Sequence, residues 1–261
     1  CMGFELPRGA PVRIARQTVS THQVPAGLPV AVHSYVGAVQ VGVEDVDRVR
    51  VVAKVRGDAP EDVLEHLQVA EATRSGVFRL DARFVVPVAP TVFADLRVEI
   101  PPDVPLARVD VQEGDVRLTG TTGDTVVKAD VGDITVDGVR GYPDLDTSDG
   151  AVHVHRTTGL DRIETKSGDV TADIHAIRRD VDIEVDAGNV VVTFDPVLDA
   201  TVDVRSDIGR ITLDGLDLLD EERSPTRVEG RLGNGGSQIE VKAASGDVVL
   251  RRFTPPETPT G

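Results

Sequence analysis

The residues of this chain that could do chemistry are few and recur at regular intervals. Gly–Asp pairs stand at 114/115, 123/124, 132/133, 168/169 and 246/247. Such a series invites comparison with nine-residue calcium-binding β-rolls, where a Gly-Gly-x-Gly-x-Asp turn aims carbonyls and carboxylates at the ion. Here each nine carries one glycine, and the equivalent turn positions drift to Ala151, Asn189 and Arg210. The aspartates therefore read as solvated corner residues, with loose cation binding as the lesser alternative. His153 and His155 lie two apart, so both project from one side of a strand. A metal would need a third ligand, and the next repeat offers only Thr171 and Asp173. No metal site is expected. The chain has no Gly-x-Ser-x-Gly elbow, Walker loop or His-Glu-x-x-His helix. A β-helix polysaccharide lyase or hydrolase would need longer turns, aromatic sugar platforms and a carboxylate cluster in a groove. The expectation is therefore no catalytic residue, no cofactor and no enzyme.

One further residue invites chemistry. The single cysteine is Cys1, which permits neither an internal disulfide nor a Cys-based zinc site. A leading Cys is what lipoprotein processing leaves behind, so lipidation of Cys1 is expected; a fragment boundary is the plain alternative. Lipid there would anchor the protein to the outer face of the cell membrane, with no transmembrane helix.

The elements that carry these residues follow from a repeat. Glycines fall at 114, 123, 132, 141, 150, 159 and 168, spaced by nine. Alternate nines differ, so the unit is eighteen. One half supplies inward apolar pairs such as Val116/Leu118, Ile134/Val136 and Val152/Val154. The other supplies Val109/Val111, Val127/Ala129, Leu145/Thr147 and Ile163/Thr165. Continued through Ile183/Val185, Val202/Val204 and Ile239/Val241, the pattern predicts an all-β protein: a β-solenoid of seven turns, about 18 residues each. One such turn cannot bury its own apolar pair, but stacked turns form a continuous core. The expected organisation is a tether over 1–17, an irregular β-rich region or cap over 18–105, the solenoid over 106–253 and a disordered tail over 254–261. A short helix is expected over 60–67, and an excursion from the solenoid over 216–237.

The residues between inward pairs must point outward. On one face they are Asp110, Lys128, Asp146, Glu164, Glu184, Asp203 and Glu240, a nearly continuous acidic ladder. On the other they are Arg117, Thr135, His153, Thr171, Val191, Thr212 and Val249, a neutral face suited to contact with a partner or with the N-terminal region. The net charge is −16, which excludes nucleic acid as the natural partner. Asp outnumbers Glu 30 to 14 and Arg outnumbers Lys 24 to 4. Short hydrated carboxylates with little lysine suit a halophilic source, because molar salt screens their repulsion.

With Leu96-Arg-Val-Glu-Ile-Pro-Pro-Asp-Val-Pro-Leu106 leading into it, the series Gly114-Asp-Val, Gly132-Asp-Ile, Lys166-Ser-Gly-Asp-Val170 and Ala244-Ser-Gly-Asp-Val248 resembles the β-strand-repeat family of adhesin-like prokaryotic envelope proteins, a domain of unknown function. The similarity covers roughly residues 30–252, and haloarchaea fit the acidic composition. The resemblance implies a membrane-anchored or lipoprotein cell-surface module with no catalytic residues to carry over. The expected partner is an unidentified protein or glycan at the cell surface. The alternatives are an extracytoplasmic sensor serving a signalling system, and a self-assembling scaffold of the bactofilin type.

Overall fold

The computed structural model describes residues 12–59, 62–88 and 91–253. Cys1 and the tail over 254–261 lie outside them. Alternation of Val or Ile with polar residues, broken at intervals by Gly, Pro and Asp, gives short extended segments throughout. The first seven strands are β1 (Val12–His22), β2 (Val30–Val36), β3 (Val39–Val43), β4 (Val49–Ala59), β5 (Leu67–Arg74), β6 (Val77–Phe84) and β7 (Phe93–Ile100). The repeat contributes β8 (Leu106–Glu113), β9 (Val116–Thr119), β10 (Val126–Val131), β11 (Ile134–Asp137), β12 (Asp144–Asp149), β13 (Val152–His155), β14 (Arg162–Ser167) and β15 (Val170–Ile174). The remainder is β16 (Val181–Ala187), β17 (Val190–Phe194), β18 (Ala200–Ile208), β19 (Ile211–Asp214), β20 (Leu219–Arg223), β21 (Arg227–Leu232), β22 (Gln238–Ser245) and β23 (Val248–Arg252). The expected helix at 60–67 shortens to a single 3-10 turn, Val63–His66. Residues 12–17, expected within the tether, form the first half of β1.

Two sheets face one another. One is ordered β1-β4-β7-β3-β9-β11-β13-β15-β17-β23-β19, the other β20-β21-β18-β22-β16-β14-β12-β10-β8-β2-β6-β5. Within the repeat the pairing is parallel, with Val109 opposite Val127, Val127 opposite Leu145 and Leu145 opposite Ile163. From there to Ile183 the step lengthens to twenty residues. The inward residues of both sheets are buried, from Val109 and Val116 to Val248 and Leu250, in one core running from Val24 to Leu250. Valine suits this interior: its branched side chain fills a narrow space between sheets at low rotamer cost.

Two expectations are corrected. First, both sheets continue through residue 105. Strands β2 and β3 pair in parallel with β8 and β9 on one side and with β6 and β7 on the other. Among the described residues, β2, β3, β6 and β7 extend the stack and do not cover a face of it. Second, β22 and β23, expected as the final turn, do not follow β18 and β19 in space. β22 lies between β16 and β18, and β23 between β17 and β19. The physical reason is the expected excursion: β20 and β21 form an antiparallel hairpin that takes the outer edge of β18. The final turn then fills the gap between β16/β17 and β18/β19.

The corners explain the glycines. Gly132 has φ +145 and Gly168 φ +146. A Cβ on Gly132 would run into the carbonyl oxygen of Gly114, and one on Gly168 into that of Gly150. Successive layers touch at these corners, so no side chain fits.

Candidate functional site

The Gly–Asp carboxylates are committed to the fold. Asp115 accepts from the Asp133 amide at 3.0 Å, Asp133 from Ala151 at 2.8 Å, and Asp169 from Asn189 at 2.7 Å. Further along, Asn189 accepts from the Asp247 amide at 3.0 Å and Asp247 from the Arg210 amide at 2.8 Å. Each side chain thus caps an amide of the next layer, which a parallel ladder interrupted by a glycine corner leaves unpaired. That is a structural use of the motif. Among the described residues no cluster of three His, Cys, Asp or Glu side chains is placed to hold a metal. His155 instead stands 3.0 Å from Asp173, and His175 stands 3.4 Å from Asp195, each histidine facing the acid of the next layer.

The outer face of the second sheet departs from the expected acidic ladder. Asp110, Lys128, Asp146, Glu164 and Glu184 do stack in register. Beyond them the register moves by two: Glu184 is opposite Lys242, and Lys242 is opposite Arg205. Glu240 and Asp203 belong to the adjacent column, with Asp182. Cations are interleaved with the acids. Arg108 bonds Asp110 at 2.7 Å, Lys128 bonds Asp146 at 3.0 Å, and Arg162 bonds Glu164. Asp203 is buried and takes both arms of Arg227, at 2.8 and 2.9 Å, with Arg205 at 2.9 Å. The Arg227 hydrogen bonds, aided by Arg205 and opposed by burial, hold its pKa down to about 2. This trio fastens the β20–β21 hairpin to β18.

A second clamp closes the two-residue insertion before β16. Arg178 and Arg179 both reach the buried Asp161, and Arg178 also bonds Asp124 at 2.6 Å while lying 4.4 Å over the Tyr142 ring. Hydrogen bonds donated to Asp161 first, then to Asp124, push the Arg178 pKa up despite the cost of burial.

The neutral face is arranged as expected, with Arg117, Thr135, His153, Thr171, Val191, Val249 and Thr212 in one register column. Gln40 and Arg97 prolong it towards the N-terminus. Among the described residues, the N-terminal strands lie within the sheets and cover neither face.

Sequence reasoning missed an open groove of about 630 Å³ on the outer face of the second sheet, over β5, β6, β2 and β8. Its floor is low because Ala31, Ala70 and Ala72 carry minimal side chains between long ones. Arginines 74, 79, 83 and 108 rim it. The available signal was the i, i+4 arginine pair of β6, Arg79 and Arg83, both on the polar side of an alternating strand.

Residues 104–251 match a family whose description reads Toastrack DUF4097. Among curated proteins none matches the chain in sequence. Solved structures with a similar arrangement include a proposed adhesin of Parabacteroides distasonis, 14% identical, covering 91% of this chain and 97% of its own, at a TM-score of 0.44. A proposed adhesin of Bacteroides fragilis is 10% identical over 91% of this chain and 97% of its own, with a TM-score of 0.41. A proposed cell adhesion protein of Clostridium sporogenes is 6% identical over 92% and 100%, with a TM-score of 0.38.

Proposed function

This chain belongs to the Toastrack family, and on that premise we propose that it is a non-catalytic, adhesin-like binding module displayed outside the cytoplasm. The observation that carries the reading is the surface itself. Among the described residues, two continuous sheets, of 11 and 12 strands, present columns of outward side chains in fixed register. Columns of this kind repeat at about the 4.8 Å strand spacing, which suits a repetitive or extended ligand laid across many strands. The acidic groups most suited to chemistry, Asp115, Asp133, Asp161, Asp169 and Asp203, spend lone pairs on bonds between neighbouring segments of the stack.

The acid and arginine bias supports a setting at high salt, where a net charge of −16 is tolerated. The test is direct. The immobilised chain, presented with an array of cell-surface glycans and envelope proteins, should retain a restricted set of them. Retention of nothing on such an array contradicts a binding role.

A further inference from the structure

We propose that the arginine-rimmed groove over β5, β6, β2 and β8 binds a carboxylate-bearing oligosaccharide. The inference rests on the binding-module reading and gives it a place and a ligand class.

Three observations converge. Arg74, Arg79 and Arg83 are exposed and form no ion pair with any described residue. That stands out in a chain with 44 acidic and 28 basic side chains, where cations on the same sheet are taken up by acids. Guanidinium groups left unpaired present planar forks that fit carboxylates in bidentate fashion. Along β6, Arg79 and Arg83 are four residues apart, a separation of about 13 Å at the rise of an extended strand. Two fixed cations that far apart, on one side of one strand, engage anionic groups distributed along a ligand better than a single compact anion.

The second observation is Asp81, between those two arginines on the same strand. It lines the groove, and its buried Oδ1 accepts no hydrogen bond from the protein. A buried acceptor without a partner asks for a donor. A phosphodiester, acceptor-only at neutral pH, cannot supply one beside a carboxylate. Sugar hydroxyls can. A ligand carrying both carboxylates for the arginines and hydroxyls for Asp81 satisfies the whole set.

The third observation is shape. The alanine floor formed by Ala31, Ala70 and Ala72 lies open and elongated across strands, and His33, stacked on Tyr35 at a centroid distance of 4.8 Å, stands at its side. An open trough with a ring wall admits a chain from either end.

Calorimetric titration of the full chain at pH 7 and low salt provides the test, with tetragalacturonate as the probe. Maltotetraose serves as the neutral control and inorganic phosphate as the compact anion. We expect tetragalacturonate alone to bind, with affinity falling as salt rises. R79Q/R83Q should weaken it by about tenfold or more, and phosphate should remain inert. Both arginines are exposed and unpaired, so an unchanged melting temperature is expected and separates lost contacts from lost fold. Absence of heat with tetragalacturonate overturns the proposal, as does equal binding by R79Q/R83Q, or phosphate binding as tight as the sugar. If the glycan and protein array retains other ligands while tetragalacturonate fails, the groove assignment falls and the binding-module reading stands. If the array retains nothing, the module reading falls first.

Discussion

At Gly132 the backbone turns through φ +145 directly beneath the carbonyl of Gly114. The same contact recurs at Gly168, so one missing side chain per corner is what lets layers close on each other. Gly132→Ala should therefore cost about 3 kcal/mol or more, read from the shift in urea midpoint. Gly76→Ala is the control: its φ is +75 but its surroundings are open, so it should cost only about 1 kcal/mol. Equal losses at the two sites would refute the close-approach argument. A second residue-scale expectation concerns Asp203. Its pKa is lowered on folding to about 2, chiefly by Arg227, so its stabilisation is complete above the unfolded value near 4 and is lost as pH falls through about 2. The shift corresponds to at most about 2 kcal/mol, and nearer about 1 because both guanidinium heads are partly exposed and screened. The stability gap between wild type and Arg227→Gln should be flat from pH 5 to 8 and shrink below pH 4. A gap that persists to pH 2 would show that the pair does not act through the carboxylate charge.

At the scale of elements, the pleat explains what could be read from the sequence. The glycines from 114 to 168 recur every nine residues because each corner needs one, so β8 to β15 were legible outright. The later register was not. β16 carries three inward residues, Val181, Ile183 and Val185, and a two-residue apolar pattern fits that run in either of two alignments. The expected ladder consequently misplaced Asp203 and Glu240 by one column. The layer formed by β2 and β3 was hidden for another reason: its neighbours come from 77–100 and 106–119, so no fixed period connects them. The groove shares this difficulty, since its floor and rim come from four strands dispersed over residues 31 to 110. The inserted last turn is open to a direct check. In the background of one native cysteine, Glu184→Cys with Lys242→Cys should cross-link under mild oxidation, because the two positions are opposite each other on adjacent strands. Glu184→Cys with Arg205→Cys lies two strands apart and should not. The reverse outcome would restore a strictly sequential stack.

On the scale of the whole molecule, charge and edges set the behaviour. The interleaved ion pairs soften the acidic face locally, yet a net charge of −16 still opposes compaction at long range. Screening that repulsion should outweigh the loss of exposed pairs, each worth under about 1 kcal/mol. The melting temperature should accordingly rise from dilute buffer to 1 M KCl; a flat or falling profile would contradict the high-salt reading. The ends matter for assembly. Antiparallel strands β4 and β1 finish one end of the first sheet, whose other end is the parallel strand β19, and β5 and the β20–β21 hairpin finish both ends of the second. Those additions break the parallel repeat that an end-to-end polymer would need to continue, which favours a discrete module over a filament.

On the proposed reading, the surface holds a ligand and leaves it chemically unchanged. Mass spectrometry of a ligand mixture before exposure to the chain, and of the fraction eluted from it, tests this most directly. The account predicts a retained fraction whose masses are identical to the input. Shortened chains, or products altered by the mass of water, would contradict it.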